Sequence, residues 1–460
     1  MKSLLIAAAS AALLTALPAQ SADLGTTAAR LRDKALADPT AWDVLESLTT
    51  EVGARPVGSP AMTRAKDWSV ETFKRLGFAN VKVESFETAA WSRGPESASV
   101  ISPYPQALHI LGLGGSSPTP KGGLEAEIVV FSTYADLLAQ PVGSLKGKIA
   151  VVTQKMTRTQ DGSGYGAINA QRTSGPLEAA KRGAAAYLTR SLSTDDTRRP
   201  HTCGAAPAGM PAAALSTVDA ELLDHMAARG KPIRIRLDMA SSFNPKAQAW
   251  NISGEMVGRE KPDEVLVIGG HLDSWDPGTG AVDDGAGVAI MTGAAKVIAS
   301  LPQAPRRTIR VVMFGSEEQG GSGGAYAAAH KDEIGNIVFV GESDEGAGLI
   351  WKVDLPKGSR SAPQMQTFAN VVAPLKLAVT SDPSRFGGSD VAGMVRLGAP
   401  VADLHQDAIR YFDLHHSADD TLDKVDPKEL AQNVAVWTAL LYTVADSDID
   451  FRKLVAPEAK

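Results

Sequence analysis

Four short polar punctuations, each placed just behind an apolar run, constrain this chain more than any other feature. Val265-Leu266-Val267-Ile268 passes through two glycines into His271-Leu272-Asp273. Ala281-Val282 leads into Asp283-Asp284-Gly285-Ala286-Gly287 and an alanine-rich stretch. Ile309-Arg310-Val311-Val312-Met313-Phe314 runs towards Glu317-Glu318, and Ile337-Val338-Phe339-Val340 ends at Glu342-Ser343-Asp344. Apolar runs that finish in His, Asp and Glu predict buried parallel strands carrying polar groups to one rim of a sheet.

The rest of the chain frames that rim. Asp43 to Leu48 and Ala65 to Leu76 have helical apolar spacing, separated by the turn-forming stretch Gly53-Ala54-Arg55-Pro56-Val57-Gly58-Ser59-Pro60. Val81-Lys82-Val83-Glu84 alternates as a strand. Between about Lys121 and Met239 the texture changes. Ile128–Phe131, Ile149–Val152 and Ala184–Leu188 are short strands, Leu177–Arg182 and Val218–Ala228 are helical, and Ile233–Leu237 alternates again. This stretch offers His201 and His225 but no acids in a ligand-like setting, so it reads as an insertion without chemistry of its own. Downstream, a helix to Leu397 and a strand at Pro400–Leu404 precede Tyr411-Phe412-Asp413-Leu414-His415-His416-Ser417. Asp426-Pro427 should cap a last amphipathic helix to about Ala445. Strands alternating with helices predict an α/β fold with a doubly wound, mostly parallel sheet. The expected division is a leader at 1–22, a first part of the main domain at 23–115, an inserted smaller α/β unit at 116–242, and the site-bearing part at 243–460.

Composition removes several function classes. The chain has 460 residues, is 44% apolar, and carries a net charge of −6 from 52 acids and 46 bases. That balance supports a large core and provides no footprint for nucleic acid. No basic amphipathic stretch indicates a membrane surface. Lys2 followed by the apolar run Leu4–Leu17, Pro18 and small residues reads as a secretory signal peptide, and the run falls short of the roughly 20 residues a spanning helix needs. The expected location is therefore secreted or periplasmic. Cys203 is the only cysteine, so the chain has no intramolecular disulfide, and its Gly/Ala/Pro-rich setting predicts an inert thiol.

Singly, each polar group at the rim has an ordinary structural explanation. Asp-Asp-Gly is a common turn or helix cap, and adjacent glutamates are usually solvated. Jointly, His271, Asp273, Asp283, Glu317, Glu318, Asp344 and His416 all fall at or just after expected C-terminal strand ends, where open α/β sheets bind ligands. Imidazoles mixed with carboxylates suit zinc, and two histidines with three carboxylates suffice for two ions. A bridging carboxylate is the simplest way to hold two ions about 3.5–4 Å apart. Asp283 is the natural bridge, central in the set and at a tight Gly-rich turn. Asp273, two residues beyond His271, is placed to fix the imidazole tautomer.

The motifs His271-Leu272-Asp273-Ser274-Trp275-Asp276, Asp283-Asp284-Gly285, Glu317-Glu318-Gln319-Gly320, Glu342-Ser343-Asp344 and His415-His416-Ser417 resemble the di-zinc exopeptidase family of bacterial aminopeptidases and carboxypeptidase Q. The resemblance extends to Gly53–Ser59 and so covers nearly the whole chain beyond the leader. It implies a phosphorylase/hydrolase-like fold with an inserted protease-associated domain. It implies two Zn2+ per chain: Asp283 bridging, His271 and Asp344 completing one site, Glu318 and His416 the other. It also implies Glu317 as general base, a cis peptide between Asp283 and Asp284, and a homodimer. His416 fits the family pattern closed by Asp420-Thr421, which leaves His415 outside the ligand set. The implied activity is hydrolysis of short peptides as a dipeptidase or carboxypeptidase, with an aminopeptidase on the same centre as the alternative. A non-catalytic relative would lack ligand positions, and a glutaminyl cyclase-like enzyme keeps one zinc; neither matches a complete set. Arg55 and Arg385 are the cations whose contact with substrate the sequence leaves open.

Overall fold

The computed structural model describes residues 23–381 and 387–454, so the leader at 1–22 and Arg385 lie outside the described residues. Three helices open the chain: Leu24–Ala35, Thr40–Ser47 and Pro60–Leu76. The third starts where Ser59 Oγ accepts the Met62 amide at 3.2 Å, with Pro60 in the first turn, and it stops at Gly77, whose φ of 84° favours glycine.

The strand Lys261–His271 is the axis of the main sheet. It pairs in parallel with Arg307–Phe314 on one side and Ile337–Glu342 on the other. Successive side chains go to opposite faces, and both faces are covered. Leu266 and Ile268 join the core under the helices Ala286–Ala299 and Pro427–Ala445, while Val265 and Val267 pack with Phe314, Tyr326 and Met394 under the helices on the opposite face. Arg307–Phe314 is buried at every position. The expected doubly wound α/β core is therefore present.

Two expectations change. Asp426 does cap the last helix, accepting the Lys428 amide at 2.7 Å, but that helix is not amphipathic in its setting: residues 432–445 are all buried. Leu24–Ala35 covers the side facing away from the sheet, so an all-round apolar helix lies between two layers. The short strands expected at Val81–Glu84 and Ile233–Leu237 are ends of a long antiparallel ribbon, Ala79–Ser102 against Arg234–Met256. Its pairing runs from Ala79↔Glu255 to Ser102↔Arg234 with four register shifts.

That ribbon joins two units. Arg234–Met256 pairs antiparallel with Arg307–Phe314 near one end and with Leu124–Phe131 near the other. Beyond it, Leu124–Phe131, Ile149–Val152, Ala186–Arg190 and Ala212–Leu215 form a second parallel run. Helix Thr217–Ala227 lies in the apolar layer on one face of this run, Gly175–Lys181 in that on the other. The smaller unit's core also draws on Ala98, Val100 and Leu108 from the ribbon and the strand after it. A separate three-stranded sheet, Ala378–Thr380, Ile350–Asp354 and Asp403–Gln406, leads the chain back towards the rim.

Candidate metal centre

Each rim residue is placed by an element boundary. His271 is the last residue of its strand, and Asp344 stands two residues past Ile337–Glu342. Glu317 and Glu318 follow Phe314 in a turn. Asp283 and Asp284 lie in the irregular turn Ala281–Gly285 that feeds helix Ala286–Ala299, and the peptide between them is cis. The helix can approach the strand because a Cβ at Gly270 would fall 2.9 Å from the backbone of Gly287. His416 arrives last, after Asp403–Gln406 and a turn, with φ at 58°.

Five side chains close into two trios sharing one member. His271 Nε2 lies 3.1 Å from Asp283 Oδ1 and 3.4 Å from Asp344 Oδ1. His416 Nε2 lies 2.9 Å from Asp283 Oδ2 and 3.2 Å from Glu318 Oε2. The ligand atoms of each trio are within 4.8 Å of one another. Asp283 thus turns one oxygen towards each group.

The contacts around the trios show what such a site wants. His271 Nδ1 faces the Asp273 carbonyl at 3.0 Å, and His416 Nδ1 faces the Thr202 carbonyl at 3.1 Å. With Nδ1 donating in each ring, Nε2 is the atom that each imidazole turns towards the carboxylate oxygens. Asp283 Oδ2 and Glu318 Oε1 are buried without a hydrogen-bond donor. Burial lifts Glu317, Glu318 and Asp344 above the usual carboxylate range, neighbouring carboxylates adding to it. Burial also works against a charged His271 or His416, but surrounding acids outweigh it and both shift well upwards. Orphaned carboxylate oxygens, inward-facing ring nitrogens and a surrounding that favours positive charge, shut away from water, fit divalent cations with nitrogen and oxygen ligands.

A supporting layer fixes these groups. The Asp284 carboxylate accepts the His271 amide at 3.0 Å and the Gly287 amide at 2.9 Å. The Asp420 carboxylate accepts the Val282 amide at 2.6 Å, and burial beside Asp283 pushes it up to about 7. Arg55 is fully buried and donates to the carbonyls of Leu272, Thr279 (2.6 Å) and Gly280 (2.9 Å). It braces the loop between His271 and Asp283, which resolves the sequence's question about it in favour of a structural part.

Known proteins similar to this chain fall in one peptidase family. The sequence model of peptidase family M28 matches residues 251–441. Carboxypeptidase Q of Mus musculus is 35% identical over 413 residues, 88% of this chain and 86% of that protein. The chain belongs to peptidase family M28. Carboxypeptidase Q of Homo sapiens is 34% identical over the same share of this chain. A crystal structure of a peptidase M28 precursor from Shewanella amazonensis superposes with a TM-score of 0.90 at 42% identity, covering 93% of this chain and 98% of that one. A zinc aminopeptidase from Bacillus subtilis shares the fold at 19% identity and a TM-score of 0.63, covering 90% and 96%. This M28 protein is a metallo-exopeptidase.

Two sequence readings need correction or addition. Asp273 does support the centre, but through different atoms: its carbonyl, not its carboxylate, is nearest His271 Nδ1, the carboxylate standing at 3.6 Å. The carboxylate instead accepts the amides of Glu317 (2.9 Å) and Glu318 (3.2 Å). His415 is buried and belongs to neither trio. The insertion read as chemically silent supplies the carbonyl of Thr202 to His416; a backbone acceptor carries no residue-type signal.

Proposed function

We propose that this M28 peptidase is a di-zinc exopeptidase of short peptides, working as a dipeptidase or carboxypeptidase. One observation carries the reading: Asp283 presents one carboxylate oxygen to each of two complete trios. His271 and Asp344 would hold one zinc with it, and Glu318 and His416 the other. Zinc in such sites lowers the pKa of a water and polarises a carbonyl.

The chain's own residues supply the remaining chemistry. Glu317 stands beside Glu318 but belongs to neither trio. Its carboxylate takes the proton of the attacking water and returns it to the leaving amine. Asp273 holds the backbone of both glutamates, and adjacent side chains diverge, so Glu318 would serve the metal while Glu317 serves the reacting water. A cavity of about 620 Å³ opens beside Asp344 and Glu342, large enough for a short peptide. Arg396 is the one Lys or Arg among its described lining residues, and a free peptide C-terminus is its natural partner.

The smaller unit is, in this reading, the family's protease-associated domain. The apolar run Leu4–Leu17 serves as an export signal, which places the enzyme outside the cytoplasm, and the family resemblance implies a homodimer. Among the described residues no helix is long and apolar enough to cross a membrane.

Zinc content and paired blocked dipeptides test the proposal together. Two zincs per chain and cleavage of an N-blocked dipeptide are expected. One zinc or none under excess zinc overturns the two-metal centre. Cleavage of only a C-amidated dipeptide identifies an aminopeptidase, and cleavage of only the free dipeptide a strict dipeptidase.

A further inference from the structure

The residue that completes the second trio is the least secured by its own element. His416 lies in a turn rather than at a strand end, in the left-handed region with φ at 58°, a conformation uncommon for residues bearing a Cβ. What grips it comes from the smaller unit. Thr202 N donates to the His416 carbonyl at 2.9 Å, and His416 Nδ1 donates back to the Thr202 carbonyl at 3.1 Å. His201 Nδ1 reaches the neighbouring carbonyl, that of His415, at 2.8 Å. His201 and Thr202 are fully buried.

Behind Thr202 stands Arg172, also fully buried. It donates to the Thr202 carbonyl at 3.4 Å, to Asn169 Oδ1 at 3.1 Å and to the Tyr165 hydroxyl. Among the described residues no carboxylate lies within ion-pair distance of it, and its Nε has no acceptor. Its guanidinium sits over the Tyr165 ring, 5.0 Å from the centroid. Tyr165 in turn stacks on Phe412 at 4.3 Å, on the turn that carries His416. The guanidinium's direct acceptors are neutral, and burial opposes its charge, but Cys203, Tyr165 and, in the second trio, Glu318 outweigh burial and hold it charged. Its placement makes sense as a brace between the smaller unit and the histidine turn.

We propose that the smaller unit is a working part of the metal centre: Thr202, braced by Arg172, fixes the His416 imidazole for the second metal. Arg172 is a positioning residue in this scheme, acting through the Thr202 carbonyl and never on substrate. Such support orients a ligating imidazole and fixes its tautomer, and its removal typically costs about 10- to 100-fold in metal affinity. The inference rests on the two-metal reading above. It adds that the sites are unequal: the His271–Asp344 site is built by the main sheet alone, whereas the Glu318–His416 site depends on docking of the smaller unit.

The test is zinc binding by the full chain, measured as zinc retained against chelators of graded strength, for the wild type, Arg172→Met and Arg172→Lys. The expected result is two tight zincs in the wild type. Arg172→Met should keep one and bind the other at least about tenfold more weakly, with Arg172→Lys in between. The melting temperature of the zinc-free protein should stay near wild type, which separates positioning from general destabilisation. Should Arg172→Met fail to fold, Tyr165→Phe keeps the stack on Phe412, removes one Arg172 acceptor, and should weaken the same single site. Two wild-type-tight zincs in a folded Arg172→Met, or in Tyr165→Phe when that variant is needed, overturn the inference alone. Equal weakening of both sites also overturns it, and a wild type that binds one zinc or none overturns the two-metal reading with it.

Discussion

The Asp273 carboxylate holds Glu317 by its backbone, accepting the amide at 2.9 Å through Oδ1, and its other oxygen takes the next amide at 3.2 Å. One buried side chain therefore sets the position of both glutamates. Asp273→Asn turns an amide NH2 towards one of those N–H groups and loses a charge-assisted bond. We expect kcat/KM to fall about 10- to 100-fold, with weaker zinc binding at the Glu318 site. Steady-state kinetics and zinc titration check this, and wild-type values for both would refute the assignment.

Glu317→Gln separates metal binding from proton transfer. The substitution keeps size and hydrogen bonding but cannot take a proton. Zinc content should be unchanged while kcat drops about 10²- to 10⁴-fold. Hydrolysis at the wild-type rate would remove Glu317 from its place as base.

Removing metal should destabilise as well as inactivate. The two trios crowd buried carboxylates whose charge the cations offset. Zinc at a thousandfold its Kd adds about 4 kcal/mol by mass action. Calorimetry should show a lower melting temperature after chelation, restored with activity by added zinc. A melting curve indifferent to chelation would contradict a metal-stabilised core.

Much of this was readable from residue types, and the reason is burial. Val265–Ile268 and Ile309–Phe314 are apolar because both sheet faces are covered, so the polar residues behind them stand out. The ribbon Ala79–Ser102 with Arg234–Met256 was not readable at its true length. Gly94-Pro95 and the exposed run 242–246, with Asn244-Pro245 in it, interrupt the alternation that reveals a half-buried strand. Nor were Thr202 and Arg172 readable as supports of His416, since the link passes through a backbone carbonyl 214 residues away. Spacing puts Asp273 beside His271 but cannot say which of its atoms faces which neighbour, and its carboxylate meets the Glu317 and Glu318 amides instead of the imidazole.

Away from the site, Glu264 ties the C-terminal segment to the sheet. It accepts from Arg307 Nε at 2.6 Å and Arg452 at 3.0 Å, and Arg307 is only 1% exposed. Burial raises the carboxyl, but the two guanidinium groups outweigh it and bring it down to about 2. A depressed acid stabilises above its ordinary value near 4.5 and loses that contribution as pH falls towards 2. Glu264→Gln leaves Arg307 buried without a counter-charge and should cost about 3 kcal/mol near neutral pH. In urea unfolding the gap between variant and wild type should narrow from pH 4.5 downwards; a gap independent of pH would exclude the ion pair as its source.

His330 gives the opposite pH sign. Its Nε2 meets the Glu84 oxygens at 3.0 and 3.1 Å, its Nδ1 lies 3.2 Å from Glu333, and its ring stacks on Tyr326 at 4.1 Å. Arg310, which bonds Glu333 and Glu255, completes the cluster, with Lys82 near Glu84. Burial opposes the imidazolium, but Glu84 and Glu333 prevail and its pKa rises above 6.5. A raised base contributes fully below its ordinary value and loses that contribution as pH climbs through the folded value. The imidazolium, just past the end of the helix Ser322–Ala329, therefore clips the Ala79–Ser102 ribbon to that helix most firmly in mild acid. His330→Phe preserves the ring stack and removes the charge. It should destabilise by about 2 kcal/mol at pH 6 and by clearly less at pH 9, read as melting temperatures. Equal losses at both pH values would show that packing, not the charged clip, is what His330 provides.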